Sequence, residues 1–193
     1  MVKTVSVYCA SSSKVDAVYL NSAQKLGKLL ADNNIQCVYG AGRTGLMGAL
    51  ANASLENNGQ VTGIIPQFMC DENWHHTRLS QCIITKSMHE RKEKMLLMAD
   101  AIVALPGGCG TLEELLEAIT WKQLGLITVP IIIVNTNNYY APLLHMLEKA
   151  IEQNFMRRQH KQIWTHVNDV PEILDAISNS PKWDKNIRKM AAI

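Results

Sequence analysis

The sequence predicts an α/β fold: a doubly wound, mostly parallel sheet of about seven strands with helices on both faces. Three observations predict it. Short β-branched runs alternate with longer helical patterns along the chain. Two of the runs, "AIVAL" and "PIIIV", are apolar throughout, as strands covered on both faces are. Both glycine-rich loops follow a strand pattern, which puts them at the sheet edge where such folds bind ligands.

Taken in order, "KTVSVYCA" reads as a first strand and "VDAVYLNSAQKLGKLLADNN" as a helix stopped by Asn-Asn. "IQCVYG" is a strand, and "TGLMGALANASLENNG" a helix closed by Gly59. "QVTGIIP" is a strand followed by an irregular polar stretch from Gln67 to Ser80. "QCIITK" and "MHERKEKMLLMA" form the next strand and helix, then "DAIVALP" and "TLEELLEAITWKQLG", the latter ending at Gly125. "VPIIIVN" is a strand, and "APLLHMLEKAIEQNF" a helix begun near Pro142. "IWTHV" and "PEILDAIS" supply a last strand and helix. Neither a repeat nor a linker interrupts the pattern, so residues 1–193 are expected to form one Rossmann-like domain, long enough for a sizeable core.

Composition narrows the function classes. Hydrophobic residues make up 47% and charged residues 19%, the balance of a globular chain. A net charge of +2 without a long basic block gives no reason to expect a nucleic-acid partner. Cys9, Cys37, Cys70, Cys82 and Cys109 are odd in number and form no C-x-x-C pair. They read as reduced core thiols, not as a disulfide framework or zinc knuckle. The N-terminal apolar stretch is a strand, too short for a signal peptide, and no window approaches the ~18 apolar residues of a membrane span. A cytoplasmic protein is expected, with no membrane partner, metal or cofactor.

Gly40, Gly42 and Gly45 in "YGAGRTGLMG" spell G-x-G-x-x-G between a strand and a helix. The match to a dinucleotide fingerprint is incomplete. It follows the second strand, and the next strand ends "GIIPQF" without the acid that would bond a ribose. The second loop, Pro106 to Thr111, is a better anion site. Its glycines permit unusual dihedrals that aim backbone N–H groups at one point, the following helix adds its positive end, and Thr111 adds a hydroxyl. It is not a P-loop, because no lysine follows the last glycine.

Thr111-Leu112-Glu113-Glu114 is also T-x-x-E, a capping box, so Glu114 either caps the helix or does chemistry. Helical projection puts Leu112, Leu115, Leu116 and Ile119 on one face, read as the core face. Glu114, Ala118 and Trp121 fall opposite, where a second subunit would enclose Glu114. "SMHERKEK" places Arg91 and Lys92 in the first turns of the preceding helix, at the same sheet edge. Basic groups there oppose the helix dipole. The arrangement makes sense if they face a ligand anion. The alternative is a solvated helix with Glu90 and Lys94 paired.

At these residues the chain resembles a known family. "SMHERK" followed by "ALPGGCGTLEELLEAITWKQLG" is similar to the paired signature of the LONELY GUY (LOG) proteins, M-H-x-R-K and then P-G-G-x-G-T-x-x-E. "VYGAGRTGLMGALANA" and "VYCASS" resemble that family's upstream segments, so the likeness runs from about Val5 to Asn138. Ala10 and Ala41 stand where many members have glycine. The resemblance implies a Rossmann-like homodimer that cleaves the N-glycosidic bond of cytokinin riboside 5′-monophosphates, and often AMP, to base and ribose 5-phosphate. It implies Arg91 and Glu114 as the catalytic pair. It implies substrate binding by Lys92, by Gly107, Gly108, Cys109, Gly110, Thr111, Leu112, Glu113 and Glu114, by Thr120, and more loosely by Glu72 in "ENWHHTRL". The label "lysine decarboxylase" sometimes given to members is set aside, because no Ser-x-His-Lys segment is present. Three other readings stand beside it: a nucleotide sensor without catalysis, an NAD-dependent oxidoreductase built on Gly40–Gly45, and metal chemistry at His75 and His76.

Overall fold

The computed structural model describes residues 2–185 and Ile187. Its strands are β1 (Thr4–Tyr8), β2 (Gln36–Tyr39), β3 (Val61–Pro66), β4 (Gln81–Thr85), β5 (Ala101–Ala104), β6 (Ile131–Val134) and β7 (Thr165–Val167). Its helices are α1 (Ala17–Asp32), α2 (Gly45–Glu56), α3 (Gln67–Asp71), α4 (Met88–Leu97), α5 (Cys109–Gln123), α6 (Ala141–Glu152) and α7 (Ile173–Ser178). The strands form one sheet in the order β4-β3-β2-β1-β5-β6-β7, every pairing parallel. This is the doubly wound, Rossmann-like architecture that the sequence predicts.

Alternate residues of each strand serve opposite faces, as the two-residue period requires. Val5, Val7, Val103 and Val134 pack with Leu26 and Leu30 of α1, Leu50 of α2 and Ile173 of α7. Tyr8, Ile102, Ala104 and Ile133 pack with Met95 of α4, Leu115 and Ile119 of α5 and Leu147 of α6. Gly27 lets α1 and α2 approach closely, since a Cβ there would strike the Leu50 carbonyl. The chain winds outward in one direction from β1 through β4, then returns to lay β5 on the other side of β1. The loops after β1 and β5 therefore flank the switch in strand order, where ligands bind in open α/β sheets.

Three boundaries differ from the sequence reading. α2 stops at Glu56 and Asn58, not Gly59, takes the left-handed conformation (φ 61°). The stretch from Gln67 begins with the five-residue α3, too short to show helical periodicity. α5 starts at Cys109 with Gly108 as its N-cap, two residues before the expected Thr111. Thr111 is thus inside the helix and the proposed capping box does not form.

Candidate active site

The α4 terminus delivers the basic residues. Ser87 caps it, accepting a hydrogen bond from the Glu90 N–H at 3.2 Å, while the Glu90 carboxylate reaches back to the Lys86 N–H at 2.7 Å. Glu90 also pairs outward with Lys94 at 3.4 Å, which leaves Arg91 and Lys92 to the buried side. The Glu90–Lys94 pairing is thus present, while Arg91 and Lys92 turn inward to acceptors of the protein itself.

Arg91 spends every edge of its guanidinium. Its Nε donates to the Ile64 carbonyl at 3.0 Å, Nη2 to the Gly40 carbonyl at 3.3 Å, and Nη1 to Glu114 Oε1 at 2.8 Å. Both members of the Arg91–Glu114 ion pair are about 5% exposed. Three acceptors outweigh the unfavourable position of a cation near a helix N-terminus. Burial pushes the Glu114 carboxyl above the usual glutamate range, and the guanidinium only partly restores it. A buried carboxylate of raised pKa, held by one oxygen in a cavity wall, is suited to proton transfer.

Glu114 lies on the core face of α5, contrary to the projection. The buried residues of that helix are Thr111, Glu114, Leu115, Ala118, Ile119 and Lys122, whereas Leu116 is 40% exposed. The inward face is partly polar because it looks onto a cavity and an arginine, not onto a hydrocarbon core alone.

That cavity, about 320 Å³, lies between the loops after β1 and β5 and is lined by Ser11, Ser12, Arg91, Gly108, Gly110 and Glu114, among others. The N–H groups of the first turn of α5, at Cys109, Gly110 and Thr111, lack helical acceptors by position, as the start of any helix does. Unpaired N–H groups at the positive end of a helix dipole have the chemistry that suits an anion. The glycines do not act as the sequence reading supposes, because Gly107, Gly108 and Gly110 have no positive φ. Gly107 is closed in by Thr111, but a Cβ on Gly108 or Gly110 would meet nothing within 4 Å. Those two glycines keep space open in front of the helix.

The remaining candidates are placed unevenly. Glu113 lines the cavity and pairs with Lys92 at 2.8 Å. Lys92 also reaches Glu117 at 3.3 Å, so it ties α4 to α5. Burial disfavours its charge, but the two carboxylates more than compensate and raise its pKa. Cys109 is exposed at the first position of α5. Leu112 is half-buried against the core, and Thr120 is exposed, its hydroxyl donating to the Leu116 carbonyl. Glu72 is an exposed C-cap of α3, outside the cavity wall. The projection missed two tyrosines that brace the cradle. The Tyr139 hydroxyl donates to the Gly107 carbonyl at 2.7 Å and the Tyr140 hydroxyl to the Leu105 carbonyl at 2.8 Å. "NNYY" just after an apolar strand was the available signal. Met47 and Met69, which also line the cavity, carried none.

Arg91 separates this cavity from a second, of about 340 Å³, lined by Gly40, Gly42, Ile65, Met69 and Trp74. Here Gly40 makes room for the protein itself, since a Cβ would overlap the Arg91 guanidinium. His75 and His76 diverge, His75 Nδ1 lying 3.6 Å from Cys70 Sγ and His76 Nε2 3.0 Å from Asn52 Oδ1.

Fold and site define the class: a Rossmann-like α/β protein in which the open first turn of a helix lies beside a buried arginine–glutamate pair. Residues 47–177 match the family model described as "Possible lysine decarboxylase". Over 189 residues the chain is 36% identical to cytokinin riboside 5′-monophosphate phosphoribohydrolase LOG2 of Arabidopsis thaliana, covering 97% of this chain and 89% of that protein. It is 40% identical over 155 residues to the cytokinin riboside 5′-monophosphate phosphoribohydrolase of Rhodococcoides fascians, covering 80% and 78%. The molybdenum cofactor carrier protein of Chlamydomonas reinhardtii shares the fold, with a TM-score of 0.70 at 18% identity over 91% of this chain and 96% of that one. The chain belongs to the LOG family of cytokinin riboside 5′-monophosphate phosphoribohydrolases.

Proposed function

We propose that the protein hydrolyses the N-glycosidic bond of nucleoside 5′-monophosphates, cytokinin riboside 5′-monophosphates and AMP, releasing the free base and ribose 5-phosphate. The observation that carries this reading is the buried Arg91–Glu114 pair, 2.8 Å apart, in the wall of a cavity that the first turn of α5 also lines. Names of relatives aligned along most of the chain support it. Lys92 is engaged by Glu113 and Glu117, which argues against the amine chemistry named in the family model's description.

In this reading the first-turn amides of α5, with Thr111, hold the phosphate. That remote binding energy fixes the sugar in reactive geometry. As the bond from the base nitrogen to the anomeric carbon breaks, positive charge develops on the ribose ring. Glu114 stabilises it and takes a proton of the attacking water, whose oxygen bonds to that carbon; the base leaves with the bonding pair and takes up a proton, so that water's two hydrogens end on the sugar hydroxyl and on the base. Arg91 fixes the carboxylate and borders the site of the base. A second copy of the chain covers the outer face of α5 around Leu116 and Thr120, forming a homodimer.

Incubation with AMP and with an N6-isopentenyl AMP, followed by chromatography, is expected to yield free base. Binding without base release from either nucleotide would favour the sensor reading instead.

A further inference from the structure

The segment between α3 and β4 folds back onto the first glycine loop. The Trp74 backbone N–H donates to the Met69 carbonyl at 3.2 Å, and the Trp74 carbonyl accepts from the Arg43 backbone N–H at 3.2 Å. Gly42 and His75 form an isolated antiparallel bridge, and the His76 N–H donates to the Ala41 carbonyl at 2.8 Å. The His76 ring is the one buried anchor of this segment's polar run, at 6% exposure. Its Nδ1 lies 3.1 Å from the backbone N–H of Arg78, which can only donate. The ring nitrogen is therefore the acceptor, the proton sits on Nε2, and Nε2 donates to Asn52 Oδ1 on α2 at 3.0 Å. Burial and the neighbouring Arg78 both lower the ring's pKa, in keeping with a neutral imidazole.

Two residues before His76, Trp74 walls the second cavity with Ile65, Met47 and Met69. The indole is half exposed, so its place depends on the backbone that carries it. This cavity and the cradle cavity share Arg91, Ser11, Met47 and Met69. A nucleotide whose phosphate sits on α5 has its base pointing away from that helix, past Arg91, into an apolar and aromatic space.

We propose that His76 is a positioning residue: as a neutral clamp between Asn52 and Arg78 it fixes Trp74 as the wall against the substrate's base, and so sets the preference between alkylated and plain adenine. This rests on the hydrolase reading above. The test compares kcat/KM for N6-isopentenyl AMP with that for AMP in wild type, Trp74→Ala, His76→Ala and Asn52→Ala. Trp74→Ala is expected to change the ratio by about tenfold or more, the scale of a few apolar contacts, through the KM of the alkylated nucleotide. His76→Ala shifts the ratio in the same direction, and the double variant adds little to Trp74→Ala alone. A purely structural defect would lower the active fraction, reducing kcat equally for both substrates and leaving each KM in place. Asn52 is half-buried on a helix that tolerates alanine, so Asn52→Ala tests the clamp should His76→Ala not fold. Base release by wild type, with the ratio unchanged in His76→Ala or, failing that, Asn52→Ala, overturns this inference alone. No base release from either nucleotide by wild type overturns both readings.

Discussion

The two glycine loops have the same local grammar, a strand, then glycines, then a helix, and they do opposite things. In the loop after β2 the space that glycine leaves is filled by the protein, because the Arg91 guanidinium lies where a Gly40 Cβ would be. In the loop after β5 the space in front of Gly108 and Gly110 is empty. One loop seats the Arg91 guanidinium and the other leaves its space open. A glycine motif alone does not say which. What distinguishes the loops is whether a neighbouring element supplies a side chain to the gap, and α4 supplies Arg91 to only one of them.

The pair that joins the loops should give the largest effect. Glu114→Gln keeps the shape and the Arg91 contact but cannot take a proton. Turnover is expected to fall 10²-fold or more, roughly the scale of acid–base catalysis, with the melting temperature little changed. Full activity would remove Glu114 from the chemistry. Wild-type kcat/KM should also fall as pH drops through the Glu114 pKa, because the base must be ionised. That pKa is raised by burial, so the acid limb should lie above the usual glutamate range. An acid limb in the ordinary range would contradict the burial argument.

Gly40→Ala strikes the filled loop. The methyl group displaces the guanidinium and uncouples a buried ion pair, at about 3 kcal/mol. Misplacing Arg91 and Glu114 should cut turnover about tenfold to hundredfold. Both thermal unfolding and kinetics should register it. An unchanged melting temperature would mean that the arginine finds another seat.

Gly110→Ala strikes the open loop and should separate the two readouts. The added methyl meets no protein atom within 4 Å and sits in a helix. Stability should hold or rise by up to about 1 kcal/mol. The nucleotide loses room, and KM should rise about tenfold, equal to ~1.4 kcal/mol of binding. If instead stability falls and KM holds, the open space is not the ligand's.

The fold was legible because buried parallel strands have no polar face to hide: "AIVA" and "IIIV" are wholly buried. The Arg91–Glu114 association was legible through its motifs, but the orientation of α5 was not. Leu112, Leu115, Leu116 and Ile119 span a broad apolar arc, and periodicity cannot say which edge of it turns inward. In the structure Leu115 and Ile119 are buried while Leu116 is exposed, since the inward edge must also carry Glu114 to Arg91. The roles of Trp74 and His76 were illegible for a different reason. Besides local bonds to Met69 and Arg78, their contacts run to Arg43, Ala41 and Asn52, and no local spacing encodes a pairing so distant in sequence.

The smallest effect concerns Ala41, which lies between the two glycines of the filled loop. It is fully buried and holds a left-handed φ of 62°, a conformation that costs a residue with a Cβ about 1–2 kcal/mol. Ala41→Gly relieves that strain. It also adds freedom to the unfolded chain, an opposing cost of about 0.4–1 kcal/mol, and removes a buried methyl that packs near Gly63. The expected net gain is under about 1 kcal/mol, a rise of roughly 2 °C or so in melting temperature for a chain of this size. The Ala41 carbonyl that holds His76 is kept, so the preference between the two nucleotides should stay where it is. A lower melting temperature would mean that the methyl's packing outweighs the strain. In that case the filled loop would be fixed by side-chain contact even at the position where its backbone favours glycine.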